Sequence, residues 1–527
     1  MSSSSGQYRR GKKDLFGIFR APLKIIACVA WIWILCSADI PAMAQSKPAR
    51  GPLKVLNANP RYFTDGSGRA IYLAGSHNWS NFQDNGHRML EGRDTPPTFA
   101  YKAYLDFLQA HHHNFFRLWR WEAPKWTDVQ PLGVVKYCQP HPWVRRGPGM
   151  AKDQKPKFDL NCFDESYFDR MRSRLIAARD RGIYVSIMLF EGWELQFTDA
   201  WTYHPFNGTN NLNAIDSDAN GDGRGLELNT LQNNEIGKRV IELQKAYVRK
   251  IIDTVNDLDN VLYEVCNEAG GYSTDWQYSM INFVKSYESG KPKQHPVGMT
   301  FQSVGGTNAM LYKSPADWIS PSRGDEMENY KDDPLPPRRT RKWDRLLSTI
   351  RGLPPLSAIW PLMPSSNHGK VIVNDTDHLW GHTGGDSIWV WKNFSRGLNV
   401  LFMDELLPSP TWQDSARTAI GQTRRYSEKI NLALMVPSNE LAETRYCLAD
   451  PGREFLVFQP GHKGEFSVNL SRSDGELAVE WLNVTAGTTI VGRPISGGAV
   501  GSFTTPFGGP AVLHLKFTHN GQQTRSE

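Results

Sequence analysis

At 527 residues the chain exceeds one ordinary domain and is long enough for two domains plus a targeting segment. Hydrophobic residues make up 40%, which supports a full core. The net charge of +6 is matched by Arg9, Arg10, Lys12, Lys13, Arg20 and Lys24 near the N-terminus. The remainder is close to neutral, which excludes the basic stripe of a nucleic-acid binder.

Residues 1–44 read as a secretory signal: basic residues, then the apolar run IIACVAWIWIL, then Ala42-Met43-Ala44 in the small-x-small cleavage pattern. The run is shorter than the roughly 20 residues a spanning helix needs, so export without a stable membrane span is expected. Export permits disulfides. Cys138 and Cys162 flank the Pro/Gly-rich stretch QPHPWVRRGPG and are placed to staple it, whereas Cys266 reads as a small buried hydrophobe.

From Pro52 the text reads as a hairpin turned at Asp65-Gly66-Ser67-Gly68, feeding a strand IYLAGSH that ends at His77. Apolar runs and helical stretches then alternate: HNFFRLWRW, GIYVSIMLFEGWE, VLYEVCNE, HPVGMTFQ, ADWISP, KVIVNDTD and GLNVLFMDE. Eight strands in strand–helix alternation predict an α/β chain closed into a (β/α)8 TIM barrel over 45–438. Its excess length falls in insertions after strands two, three and six, on the mouth side. Short strands with Gly/Pro/Asn/Asp turns then predict a small all-β sandwich domain over 439–522.

The stretch Val261–Gly270, VLYEVCNEAG, organises the rest. It climbs through an apolar run to Asn267 and Glu268 and breaks at glycine, as a barrel strand does where it opens into the mouth. Strict alternation puts Tyr263, Val265 and Asn267 on one face and Glu264, Cys266 and Glu268 on the other. The seventh strand repeats the pattern: Asp375 and Asp377, two apart, share a face, with His378 and Trp380 just beyond. Strands four and seven stand across the mouth from one another. Facing carboxylates there suit glycosidic bond cleavage, in which one protonates the leaving oxygen and the other attacks or stabilises an oxocarbenium-like carbon. Glu268 is the expected acid/base and Asp375 the expected nucleophile, with Asp377 the alternative. The 18 tryptophans fit either a Trp-rich core or a concave wall for sugar rings.

Expected sugar contacts by position are His77, Asn78 and Trp79 after strand one, Glu191 and Trp193 after strand three, His378 and Trp380 after strand seven, and Glu405 after strand eight, which is also an outside candidate for the second carboxylate. The run His111-His112-His113 lies at the barrel bottom and points in different directions, so it is not read as a metal cluster. DSDANGDGRGLE matches the calcium-loop spacing D-x-D-x-[DN]-G-x5-E, with Asp216, Asp218, Asn220 and Glu227 as oxygen ligands. Gly223 stands where an apolar residue normally pairs such loops, and no flanking helices are expected. A lone structural Ca²⁺ and a solvated loop are both open, and catalysis needs no cofactor.

An Asn-Glu ending strand four and an acid ending a V-x-V-x-acid strand seven resemble the large clan of retaining barrel glycosidases. GSHNW, HNFFRLWRWE, YEVCNE and NDTDHLWG resemble the apiosidase-like and cellulase-like members. FLVFQPG, EWLNVTAG and VLHLKF resemble the β-sandwich attached to such barrels and provisionally labelled collagen-binding. The resemblance implies a secreted O-glycosyl hydrolase of an oligo- or polysaccharide, with Glu268 as proton donor. It further implies that Asn267 binds the sugar 2-hydroxyl and that Arg117 orients the nucleophile. Asp375 departs from the Glu usual at strand seven and is one methylene shorter. The competing reading is a non-catalytic glycan- or matrix-binding protein on a degenerate barrel. Nothing in these residues shows affinity for collagen, and no ligand cluster places a metal in the mouth.

Overall fold

Eight runs of buried apolar residues form the parallel strands of one sheet. They are β1 (Ala74–His77), β2 (Phe115–Leu118), β3 (Tyr184–Glu191), β4 (Val261–Asn267), β5 (Val297–Thr300), β6 (Trp318–Ser320), β7 (Val371–Asp375) and β8 (Asn399–Met403). The computed structural model describes residues 47–87, 96–129, 132–321, 369–380, 385–404, 413–461 and 464–518. Residues 1–46, which include the expected signal segment, most of the stretch between β6 and β7, and Glu405 lie outside the described residues. The strands pair in the order β1-β8-β7-β6-β5-β4-β3-β2. At the β1–β2 seam the Asn114 N–H donates to the Ala74 carbonyl, and Asn114 Oδ1 accepts from the Ala74 N–H, both at 2.9 Å. The eight strands form a (β/α)8 barrel.

Strands β3 and β4 are buried at every position, as expected of parallel strands covered on both faces. The outer layer includes α1 (Tyr101–Ala110), α2 (Glu165–Arg179), α3 (Glu235–Val255), α4 (Thr274–Glu288), α5 (Ser387–Ser395) and α6 (Asp414–Lys429). On α3, Val240, Tyr247, Val248, Ile251, Ile252 and Val255 are buried, a stripe at helical spacing that turns one face to the sheet. The Asn234 side chain caps this helix by accepting from the Gly237 N–H, and Asp164 caps α2 in the same way. The N-terminal hairpin pairs Lys54–Val55 with Phe63–Thr64. Leu53 and Phe63 from this segment join Leu73, Phe115, Leu262, Trp318, Val371 and Leu401 in one apolar cluster at the strands' N-terminal ends.

The insertion after β2 is built from strands rather than stapled by a disulfide. Lys125–Val129, Leu132–Gln139 and Asp84–His87 form a three-stranded sheet, and Trp143–Met150 pairs with Pro156–Phe163. Cys138 and Cys162 lie in different pairs and are free thiols, as are Cys266 and Cys447. Strand pairing does the work expected of the bridge.

Beyond α6 a seven-stranded antiparallel sheet runs from Val436 to Phe517 and faces a two-stranded sheet of Glu465–Asn469 and Val500–Thr504. Phe455, Val457, Phe466, Val468, Trp481, Phe503, Leu513 and Leu515 form the core of this sandwich. The other face of the large sheet is also buried. Tyr446, Leu448, Leu456, Phe458 and Val512 pack with Trp389, Trp391, Phe394 and Tyr426 of α5 and α6. Trp391 donates its indole N–H to Gln422 Oε1 at 3.1 Å, and Gln422 Nε2 reaches the Val484 carbonyl at 2.8 Å. Trp391→Ala should therefore lower stability by about 3–5 kcal/mol, measured by urea unfolding. A loss below about 1 kcal/mol would mean that this joint carries little of the fold.

Candidate active site

The end of β4 sets the site. Tyr263 points outward and donates its hydroxyl to Glu288 of α4, whereas Glu264 and Asn267 both bind Arg117 in the mouth. The two-residue alternation expected for this strand thus slips by one between Glu264 and Asn267. The slip turns Asn267 away from the face of Tyr263 and Val265 and into the mouth, a re-aiming common beside active sites. Glu268 follows at φ +49°.

Arg117, the penultimate residue of β2, is the hub. Its Nε and Nη2 grip Glu264 in a fork, both at 2.6 Å. Nη2 also donates to Asn267 Oδ1 at 2.6 Å, and Nη1 donates to Asp375 Oδ2 at 2.8 Å. The guanidinium is buried and lies 4.8 Å from the Trp119 ring centroid. Such a rigid, planar, multiply committed cation is a role suited to arginine and not to lysine.

Asp375 is wholly buried. His77 Nε2 contacts its Oδ1 at 3.0 Å, the Asp377 N–H donates to the same oxygen at 3.0 Å, and Arg117 holds the other oxygen. Burial works against its charge, but His77 and Arg117 outweigh it and hold this carboxyl below the usual range. The shared strand face expected for Asp375 and Asp377 does not form. The strand stops at Asp375 and residues Thr376–Trp380 turn as a short helix, so the two acids meet through that turn. Asp377 stands 3.8 Å from Arg117 Nη1.

Glu268, Asp377 and His378 converge, with side-chain oxygens and a ring nitrogen within 4.8 Å of one another. Burial and the neighbouring Asp375 charge push Asp377 up to about 7. Burial, then Asp377, raises Glu268 well above the ordinary carboxylate range. One guanidinium already neutralised by Glu264 and Asp375 cannot support two further anions, so the pair keeps a proton. This trio also has metal-ligand proximity, which the sequence spacing did not indicate. Against a cation, Arg117 Nη1 lies 3.4 Å from His378 Nε2, putting a fixed positive charge where a metal would sit. His378 is neutral, lowered to about 3 by burial and by Arg117, and its Nδ1 meets Ser320 Oγ at 2.8 Å.

Glu191 is buried and supports Asn267 from behind: its Oε1 accepts from Asn267 Nδ2 at 3.0 Å. It also takes the backbone N–H groups of Trp193 and Glu194. Glu122 accepts from the Glu191 N–H and contacts His204, while Glu194 accepts from the N–H groups of Glu122 and Ala123. Trp79 and Trp193, both partly exposed, pack against buried Trp119, Trp121 and Trp126. They form an aromatic wall beside the carboxylates, and Asn78 reaches the Asp404 carbonyl at 3.0 Å. Trp380 closes the helical turn after β7, and Glu405 falls outside the described residues.

In the loop after β3, Asp218, Asp222 and Glu227 bring carboxylate oxygens within 4.8 Å of one another. Asp216 sits instead against Gly208, and Asn220 hydrogen-bonds Glu227 through its Nδ2 at 2.6 Å. The acidic group therefore takes in Asp222 where the spacing suggested Asp216, and the Asn220 amide stays beside it. At the barrel bottom His113 Nε2 meets the Arg417 carbonyl and His111 Nδ1 the Phe107 carbonyl, with the two rings 5.7 Å apart.

Sequence reading missed Glu264, Glu122, Glu194, His204 and Ser320. For Glu264 a signal was present, since a lone acid inside the apolar run VLYEVCN needs a buried cation. The others depend on contacts between distant loops, which no spacing announces.

A model described as "Domain of unknown function (DUF6298)" matches residues 131–305, about a third of the chain. No curated protein matches. Among solved structures, a glycoside hydrolase family 5 protein from Bacteroides vulgatus is similar at 13% identity and TM-score 0.51, covering 89% of this chain and 95% of that one. A second Bacteroides vulgatus protein, provisionally named a glycoside hydrolase, is similar at 12% identity and TM-score 0.52, covering 90% of this chain and 83% of that one. The chain carries a (β/α)8 barrel of the kind found in glycoside hydrolase family 5, followed by an antiparallel β-sandwich.

Proposed function

We propose that the protein is an exported glycoside hydrolase that cleaves an O-glycosidic bond with retention, using Glu268 as proton donor and Asp377 as nucleophile. The observation that carries this reading is the convergence of the two carboxyl groups, each of which places an oxygen no more than 4.8 Å from one of the other's, a proximity that favours the short spacing of retaining pairs over the wide spacing of inverting ones. Asp375 was the first expectation for the nucleophile, but all its near neighbours are donors that fix it in place. Its role in this reading is to hold Arg117, His77 and the turn that presents Asp377. The aromatic wall of Trp79 and Trp193 suits stacking on a sugar ring. Asn267, held between Arg117 and Glu191, presents an amide to a sugar hydroxyl.

The test is hydrolysis of a panel of aryl glycosides and of plant and bacterial polysaccharides by wild type and Glu268→Gln. A loss of about 10²–10⁴-fold in Glu268→Gln is expected. Glycan binding with no cleavage by wild type would move the protein to the binding class. The pH profile has a definite sign. Asp377 must be ionised and Glu268 protonated, so kcat/KM should rise as pH passes through about 7 and fall again where Glu268 loses its proton. Flat activity from pH 4 to 7 would contradict the assignment of Asp377.

A structural Ca²⁺ at Asp218, Asp222 and Glu227 is also proposed. Burial and the two aspartates raise Glu227, a repulsion that a divalent cation would relieve. Added calcium should raise the melting temperature of wild type and leave that of Asp218→Asn/Glu227→Gln unchanged. An equal response in both proteins would remove the site.

A further inference from the structure

Glu268 is a non-glycine residue at φ +49°, a backbone conformation that an L side chain adopts only when its surroundings impose it. Two side chains from different loops meet at its carbonyl oxygen. Gln196, in the short helix Trp193–Phe197 after β3, donates one Nε2 proton to the Glu268 carbonyl at 2.7 Å and the other to the Gly192 carbonyl at 2.8 Å. Ser303, after β5, stands with its hydroxyl 2.8 Å from the same carbonyl and 3.0 Å from Gln196 Oε1. Ser303 is buried.

The backbone around this clamp has no slack. Glu268 makes a parallel bridge to Gln302. The Gly192 N–H donates to the Asn267 carbonyl at 2.8 Å, and a Cβ on Gly192 would lie 2.4 Å from the Ala269 Cβ. Glycine is thus needed there to let the β3 loop close on the residue after Glu268. On the other side the Gly271 N–H donates to the Val304 carbonyl at 2.6 Å.

We propose that Gln196 and Ser303 are positioning residues that fix the Glu268 carbonyl and so hold its backbone in the left-handed region, which aims its carboxyl at Asp377. This rests on the reading of Glu268 as proton donor. Without the two donors the remaining tethers hold the chain on either side but no longer the Glu268 carbonyl itself, so the strained φ can relax towards the extended region, and rotation about φ swings the side chain away from Asp377. The clamp acts on direction, because the hydrogen bonds of both residues go to the Glu268 and Gly192 carbonyls and to one another.

Two measurements test it. On a phenyl glycoside of the sugar that the wild type cleaves, Gln196→Leu and Ser303→Ala should each lower kcat/KM by about 10- to 100-fold. On the matching 2,4-dinitrophenyl glycoside, whose leaving group departs without a proton, the loss should stay under about threefold. Equal losses on both substrates, or none on either, would overturn the proposal. The second measurement needs no substrate. Glycine tolerates positive φ and alanine does not, so Glu268→Gly should melt about 1–2 °C above Glu268→Ala. That gap should vanish in a Gln196→Leu/Ser303→Ala background, and its persistence there would show that the clamp does not impose the conformation. Undiminished activity in Glu268→Gln would instead sink the proton-donor reading, and the melting comparison would still judge the clamp on its own.

Discussion

Asp377→Asn should lower kcat by about three to four orders of magnitude on any aryl glycoside that the wild type hydrolyses. The amide keeps the shape of the side chain, but it cannot attack an anomeric carbon. It also removes the charge that most raises Glu268 after burial, so the acid becomes easier to ionise while the nucleophile is lost. Asp375→Asn should behave differently. It weakens the grip of Arg117 and His77 on the turn, which disorders Asp377 without removing it, and a loss of about 10- to 100-fold is expected. Comparison of the two kcat values under one assay checks the assignment. Equal loss, or greater loss at Asp375, would return the nucleophile to Asp375 and make Asp377 its supporting group.

Arg117→Met should lower folding stability by about 3–5 kcal/mol. The substitution keeps the length of the chain and deletes a cation whose donors serve Glu264, Asn267 and Asp375. Glu264 and Asp375 are wholly buried, and each would be left with an ionised group facing an apolar side chain or would take up a proton. Breaking a buried ion network by removing one partner is costly because the uncompensated charge stays behind. Urea unfolding with the slope held constant measures the loss. A change below about 1 kcal/mol would mean that water or a shifted side chain already compensates these carboxylates.

Much of this arrangement was legible in the sequence, and the part that was not has identifiable causes. The barrel could be read because its strands are continuous apolar runs separated by helical stretches. Asn267, Glu268, His77 and Asp375 could be read because each lies at the end of such a run, and Arg117 through the resemblance to barrel glycosidases. The geometry at the strand ends could not be read from a two-residue period. In β4 the period slips before Asn267, and in β7 the chain turns after Asp375, where the Asp377 N–H closes back on the preceding carboxylate. The partners of these residues are also remote in sequence. Arg117 meets Asp375 across 258 positions and His378 meets Ser320 across 58. The loop after β3 gave acidic residues at calcium-loop spacing, yet hydrogen bonds local to each turn moved Asp216 out of the group and Asp222 in. The disulfide expected across the β2 insertion failed for a related reason, since paired strands already fix the segment and place the two thiols in separate hairpins.

The central claim is that Asp377 supplies the attacking oxygen. Azide rescue of Asp377→Ala and Asp375→Ala on an activated aryl glycoside tests it most directly. Removal of the nucleophile leaves a small void beside the anomeric carbon, into which azide fits and attacks from the same side. Asp377→Ala should regain turnover with added azide and release a glycosyl azide of configuration inverted from the substrate, while Asp375→Ala should gain nothing. Rescue confined to Asp375→Ala would contradict the account.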